Sequence, residues 1–367
     1  MHVRVMMSGG GTAGHIYPAL TVAEELRVAG HDPVTFVGAR GGPEGRLARE
    51  AGLDFLELRA RGFDRSRPWT LVTSSVILGI STLKALRLIR THRPDAVVGF
   101  GGYVSIPVGL AAVLTRTPLV LHEQNSVPGL ANKVLSRWAV AVGITYERSS
   151  AWLRRPERAV ITGNPVRSAV LDASRDAGRE ALGVSDDERI LLAFGGSRGA
   201  RHLNEVLAAA AERLLADSRT VVVHIAGTAE VDEVRKRVAG AGPRYRLLDY
   251  VDDMGSLLAA ADLVVARAGA TSIAEITALG KPCILIPYPY ATDDHQTLNA
   301  RAVSDAGAGV VLPDDELDGE AFVGLLTELL GDEGRRATMS SASLALGRRD
   351  AAARLVSLIE SAASDGR

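Results

Sequence analysis

Glycine clusters at three places mark where this chain could hold an anion against backbone amides. They are Gly9, Gly10, Gly11 and Gly14; Gly99, Gly101 and Gly102 followed by Tyr103; and Gly195, Gly196 and Gly199 with Ser197 and Arg198 between. A glycine turn between strand and helix lets N–H groups approach a phosphate at the positive end of the helix dipole. The first cluster also satisfies G-x-G-x-x-G, the dinucleotide pattern. That pattern asks for an acid near the end of the second strand, where Val37-Gly38-Ala39-Arg40 offers an arginine, which suits NADP at best. Three clusters spread over both halves fit a diphosphate donor with a separate acceptor better than one dinucleotide. Each turn alone is also explained by the backbone freedom of glycine.

His15 follows the first cluster at the start of a helix, where the dipole favours a neutral ring able to accept a proton. It reads either as a general base or as a capping and packing residue. In the second half, Arg267-Ala268-Gly269-Ala270-Thr271-Ser272-Ile273-Ala274-Glu275 reads as strand end, turn and helix start. Ser272 and Glu275 make a literal S-x-x-E capping box, yet a carboxylate there can also accept both hydroxyls of a ribose. Asp293 likewise suits a helix cap with Gln296 three residues on, while His295, Gln296 and Asn299 form a dense set of hydrogen-bonding side chains after Pro287-Tyr288-Pro289. Asp252 and Asp253 read as the cap of a helix from Met254 to Ala261. No D-x-D pair occurs, so no metal-bridged diphosphate and no metal site is expected.

Positioning these residues takes alternating strands and helices. Val3–Met7, Pro33–Val37, Ala96–Gly99, Leu119–His122 and Val140–Ile144 read as strands, with a helix Pro18–Ala29 closed by Gly30. After residues 154–165 the rhythm restarts with Ile190–Phe194, Val221–Ile225, Arg246–Leu248, Leu263–Ala266 and Cys283–Pro287. The expected fold class is α/β, two Rossmann-like domains facing across a cleft, with ligands at the strand carboxyl ends. The expected domains are 1–162 and 163–340, with a C-terminal helix over about 341–367 packing back on the first.

A length of 367 residues agrees with two domains, and a formal net charge of −1 gives no reason to expect nucleic acid as a partner. The single cysteine, Cys283, sits in an apolar run and reads as a buried strand thiol, which fits a reducing compartment. No charged leader with an apolar core precedes the first strand, so no secretory signal is expected. Residues 68–83 and 96–115 are charge-free, but glycines and Pro107 divide the second, and no transmembrane span is expected.

Taken together, GGTAGHIYPAL (10–20), GFGGYVSIPVGLAA (99–112), HEQNSVPGLANK (122–133), GNPVR (163–167), GGSRGA (195–200), RAGATSIAEI and DDHQTLNA, in that order, strongly resemble the bacterial MurG family. The resemblance covers nearly the whole chain. It implies a GT-B fold and an inverting transfer of GlcNAc from UDP-GlcNAc to the C4 hydroxyl of MurNAc in undecaprenyl-linked lipid I, giving lipid II for peptidoglycan. No cofactor is implied. It also implies peripheral work at the cytoplasmic side of the cell membrane, in the company of other cell-wall synthesis proteins.

Carried over residue by residue, Glu275 holds the uridine ribose, Ser197 and its loop amides the diphosphate, and Val251 the uracil through its backbone. Ala270, Thr271 and Ser272 line the phosphate and sugar, His295, Gln296 and Asn299 face the GlcNAc hydroxyls, and Arg167 reaches the donor. Thr12, Ala13, Gly14 and Asn125 meet the donor from the acceptor side. Gly101, Gly102, Tyr103 and Glu123 belong to the acceptor loops, and His15 is the candidate base, with a residue near Glu123 as the substitute. The chain departs from the family at His295 and Arg198, where glutamine is common.

Trp69 to Leu78, with Arg61, Arg65 and Arg67 before it and Lys84, Arg87, Arg90 and Arg93 after it, has the apolar content and cationic flanks of an interfacial patch. An ordinary helix on the sheet explains it too. The alternatives to the transferase are another GT-B enzyme with a different lipid or small-molecule acceptor, a UDP-sugar epimerase, an NADP-dependent oxidoreductase, and a non-catalytic nucleotide-sugar sensor.

Overall fold

A computed structural model describes residues 2–59, 70–196, 200–317 and 320–366. They divide into two units, Met1–Val166 with Asp350–Arg367, and Arg167–Arg349. Arg61, Arg65, Arg67, Trp69, Ser197, Arg198 and Gly199 lie outside the described residues.

In the first unit Val5–Ser8 (β1), Val34–Ala39 (β2), Asp54–Leu58 (β3), Ala96–Gly99 (β4), Leu119–Glu123 (β5), Ala141–Ile144 (β6) and Ala159–Ile161 (β7) form one parallel sheet in the order β3-β2-β1-β4-β5-β6-β7. The short apolar runs become strands because both faces are covered: Val5 and Met7 enter one core, Met6 the other. Helix Ala13–Val28 (α1) and the C-terminal helix Ala351–Asp365 supply the first of these cores. Thr70–His92 (α3) and Ser105–Thr115 (α4) supply the second, and Glu44–Glu50 (α2) follows β2.

The second unit repeats the plan with Arg189–Phe194 (β8), Thr220–Ile225 (β9), Tyr245–Leu248 (β10), Leu263–Arg267 (β11), Cys283–Ile286 (β12) and Gly309–Val311 (β13), in the order β10-β9-β8-β11-β12-β13. Strand order reverses between β1 and β4 in one sheet and between β8 and β11 in the other. Loops leaving such strands diverge, which opens a crevice at their carboxyl ends. The first two glycine clusters leave β1 and β4, Gly195 and Gly196 of the third leave β8, and Ala268-Gly269 leaves β11.

Several elements differ from their sequence reading. β3, β7 and β13 were not foreseen: β7 and β13 are only three residues long, too short for a periodicity to show, and β3 mixes Asp54 and Glu57 with its apolar residues. α1 begins at Ala13 rather than at Pro18, which lies inside it. Pro18 therefore has no amide to offer the Gly14 carbonyl one turn back. The C-terminal segment is two helices, not one over 341–367. Glu333–Leu346 remains in the second unit against Ala270–Ala278, and the chain breaks at Gly347, where a Cβ would lie 2.4 Å from the Thr277 carbonyl oxygen. Only Ala351–Asp365 packs on α1, tied by His31 Nε2 to Glu360 Oε1 at 2.8 Å.

Residues 96–115 form β4, a glycine turn and α4, and among the described residues no helix is long and apolar enough to cross a membrane. Cys283 is fully buried in β12, where burial pushes its thiol up to about 12, so it stays an inert thiol.

Candidate functional site

His15 is the third residue of α1, half-buried. Its Nδ1 lies 3.0 Å from the Gly10 carbonyl oxygen and 3.2 Å from Thr12 Oγ1. A carbonyl only accepts, so Nδ1 carries a proton, and in the neutral ring Nε2 is the acceptor. Thr12 is the N-cap residue of α1, yet its side chain caps no amide. Ala13 and Gly14 are the first two helical residues, at the positive end of the dipole.

The second cluster closes on the first. A Cβ on Gly102 would lie 2.4 Å from the Gly10 carbonyl oxygen, and one on Gly101 would lie 3.1 Å from His15 Nε2. Both glycines have positive φ, +95° at Gly101 and +79° at Gly102. The two turns thus pack backbone against backbone with the imidazole at their seam, and a side chain at either glycine would force them apart. Tyr103 stands exposed beside them.

Glu123 ends β5 and is buried. Its Oε1 accepts from the Asn125 amide at 3.0 Å, and its Oε2 accepts from the Gly129 amide at 3.1 Å and from Asn132 Nδ2 at 2.8 Å. Both oxygens are therefore engaged in shaping the loop that presents Asn125, which leaves Glu123 no free face as a base. His122 beside it bonds the Gly163 carbonyl at 2.9 Å, and burial lowers it to about 4, so this ring is neutral. Gln124 and Asn132, which complete the network, were quoted in the sequence motif without a role.

In the second unit the capping-box reading fails. The N-cap of Ala270–Ala278 is Gly269, so Ser272 and Glu275 both lie inside the helix. Glu275 is instead buried against Arg167, whose Nε and Nη2 donate to Glu275 Oε1 at 3.2 and 2.9 Å. Burial pushes the Glu275 carboxyl above its ordinary value, and the Arg167 guanidinium pulls against that rise. Ala270 is buried, Thr271 and Ser272 are half-buried, and the hydroxyl oxygen of Thr271 is buried without a hydrogen-bond partner. A polar atom left so at a helix start lacks a partner that a ligand could supply.

The segment before His295–Asp305 also departs from its expected cap. Asp293 and Asp294 both have left-handed φ, +52° and +50°, and the N-cap position falls to Asp294, whose side chain caps no amide. Gln296 Oε1 accepts from the Tyr288 amide at 2.9 Å, and His295 Nδ1 donates to the Thr292 carbonyl at 2.7 Å. Asn299 is fully buried and donates to the Ala268 carbonyl at 3.2 Å, so it holds the β11 loop. Val251 is half-buried between β10 and the helix Met254–Ala260, whose N-cap is Asp253, accepting from the Ser256 amide at 3.0 Å as expected. Arg40, the residue that favoured NADP, lies 3.4 Å from Glu57.

Sequence reasoning missed Arg267. It is buried at the end of β11, paired with Asp314, donates to the Pro287 carbonyl at 3.2 Å and stacks 5.7 Å from the Tyr288 ring centroid. Its position at a strand carboxyl end beside Ala268-Gly269 was the available signal. Among the described residues no group of three or more His, Cys, Asp or Glu gathers where an ion could sit.

Residues 5–144 match the glycosyltransferase family 28 N-terminal domain, and residues 190–355 the family 28 C-terminal domain. A UDP-N-acetylglucosamine--N-acetylmuramyl-(pentapeptide) pyrophosphoryl-undecaprenol N-acetylglucosamine transferase from Halothermothrix orenii is 39% identical, over 98% of this chain and 99% of its own. The chain belongs to the MurG family. MurG from Acinetobacter baumannii superposes with a TM-score of 0.79 at 29% identity, over 98% of this chain and 99% of that one. A UDP-N-acetylglucosamine 2-epimerase shares the fold at 16% identity, with a TM-score of 0.67 over 97% of this chain and 95% of its own. Membership makes the two parallel α/β units those of a GT-B glycosyltransferase.

Proposed function

We propose that this chain moves GlcNAc from UDP-GlcNAc to the C4 hydroxyl of MurNAc in undecaprenyl-pyrophosphoryl-MurNAc-pentapeptide, making lipid II. The full-length likeness to transferases of that name carries the reading. The chemistry is a single displacement: the hydroxyl oxygen bonds to C1 of GlcNAc as the bond to the UDP oxygen breaks, inverting the anomeric centre. The hydroxyl proton passes to His15 Nε2, the face of the ring that the bond to Gly10 leaves as acceptor. Charge developing on UDP is met by backbone amides and the N-terminus of the helix Ala270–Ala278, as in an oxyanion hole.

Glu275 receives the ribose hydroxyls on the oxygen that Arg167 leaves open. Ala270, Thr271, Ser272 and Val251 hold the remainder of the nucleotide with Ser197, while His295 and Gln296 meet the sugar. The bilayer-borne acceptor calls for a face of the first unit that lies on the cytoplasmic leaflet. Val76, Ile80 and Leu83 are exposed on α3 at helical spacing, and the same face continues with exposed Arg87 and Arg90. Cell-wall synthesis proteins are the partners this location brings near. UDP release from UDP-GlcNAc that depends on a lipid I analogue, and is absent with diacylglycerol, tests the proposal. Equal release with both acceptors would refute it.

A further inference from the structure

Glu44 opens α2 and is fully buried. Its Oε1 accepts from the Ala39 amide, the last of β2, at 2.8 Å, while its Oε2 is buried with no hydrogen-bond partner. Around the carboxylate stand three glycines from three segments. A Cβ on Gly10 would lie 2.3 Å from Oε1, one on Gly42 would lie 2.5 Å from Oε2, and one on Gly38 would lie 2.5 Å from Cγ. A buried carboxylate with one oxygen unpartnered is an unfavourable thing to keep for packing alone.

What it touches gives it a use. The Gly10 peptide is held from one side by this carboxylate and from the other by Gly102, and its carbonyl is the acceptor of the His15 Nδ1 proton. We infer that Glu44 is a positioning residue for the reaction: from beneath the first glycine loop it sets the Gly10 carbonyl and so fixes the His15 tautomer and ring plane. The inference rests on the reading of His15 as the base. Glu44 itself touches no substrate.

Three variants, Glu44→Ala, Glu44→Gln and His15→Ala, test this with the lipid I analogue assay and nitrogen-15 spectra of the histidines. Glu44→Ala frees Gly10 and is expected to lower kcat about 10- to 100-fold, the scale of an ångström of misplacement, with the KM for UDP-GlcNAc unchanged. His15 should then lose its Nδ1–H preference in the spectra, which a merely structural role would not alter. Glu44→Gln keeps the shape and the acceptor for Ala39, and should restore most of kcat. The double variant should be no slower than His15→Ala, since both act through one group.

An unchanged His15 tautomer together with full kcat in Glu44→Ala overturns the inference. So does an additive loss in the double variant. Should the alanine fail to fold, Glu44→Asp, which draws the carboxylate back from Gly10, gives the same readings. If His15→Ala itself keeps full turnover, it is the base assignment that fails, and Glu44 with it. If His15→Ala is inactive while Glu44→Ala is normal, only the present inference falls.

Discussion

The two units share one topology and build their sites from opposite materials. In the first, the seam of the glycine turns is largely backbone: Gly102 meets the Gly10 peptide and Gly101 meets the His15 imidazole, where no Cβ fits. In the second, side chains do the holding: the buried Glu275–Arg167 pair, Gln296 on the Tyr288 amide, Asn299 on the Ala268 carbonyl. Their surfaces differ as well. The exposed large apolar residues of the first unit include Val76, Ile80, Leu83, Leu114, Trp138 and Trp152, whereas the second unit shows three tyrosines and Leu344 among the described residues. A backbone-built site tolerates little change of shape and suits one fixed proton acceptor. A side-chain site can grade its grip on a nucleotide, and chain-wide economy of topology does not oblige the two to work alike.

The difference predicts a split between rate and binding. His15→Ala is expected to cut kcat by about 10²- to 10⁴-fold, the usual worth of a positioned base, with donor KM within about two-fold. Initial rates of UDP release with varied donor decide this, and a raised KM at unchanged kcat would put His15 in the donor grip and erase the contrast. Glu275→Ala should do the reverse, weakening UDP by about 10- to 100-fold through loss of a carboxylate that accepts charge-assisted bonds. Titration calorimetry with UDP reads it directly. A variant that binds UDP normally but turns over slowly would move Glu275 to the chemical step.

How much of this was legible in the sequence follows from the same contrast. The longer central strands announced themselves as apolar runs, whereas β7 and β13, of three residues each, and β3, with Asp54 and Glu57 in it, did not. Glycine turns and His15 were legible because backbone approach demands glycine at fixed spacing. The partner of His15 Nδ1 was not, because nothing in the spacing says that the Gly10 carbonyl turns back to meet it. Local capping rules misled at Ser272 and Asp293, where a better candidate cap in sequence lost to Gly269 and to Asp294 in the left-handed region. Arg267 escaped for the opposite reason: a charged residue ending a strand reads as exposed, and only the fold supplies Asp314.

In one respect the units should behave as equals. His122 in the first and His224 in the second are each lowered to about 4, chiefly by burial, and His224 bonds Tyr245 and Asn204 at 2.8 and 3.0 Å. The folded value lies below the unfolded one, so the unfolded chain binds more protons between about pH 6.5 and 4, and stability falls as pH falls through that window. Each unit is expected to lose about 2 kcal/mol between pH 7 and pH 5 from its histidine alone. Scanning calorimetry across that range checks it. His224→Gln should remove the loss from the second unit only, and a loss that persists in both would assign it to other groups.

The surface contrast carries the smallest effect. Ile80 is 58% exposed in the middle of the Val76, Ile80, Leu83 stripe on α3, so it contributes little to the core of the first unit. If that stripe enters the headgroup region, Ile80→Glu removes one apolar insertion and adds a charge that anionic lipid repels, together about a ten-fold loss of affinity. Sedimentation with phosphatidylglycerol vesicles measures it, with turnover on a soluble, short-chain acceptor as the control, since nothing about Ile80 touches His15. The matching change in the second unit, Leu344→Glu, should leave vesicle binding as it was. Equal losses from both would mean that the concentration of exposed apolar residues on one unit has no bearing on where the membrane lies. Loss of turnover on the soluble acceptor in Ile80→Glu would instead make the stripe part of the reaction site.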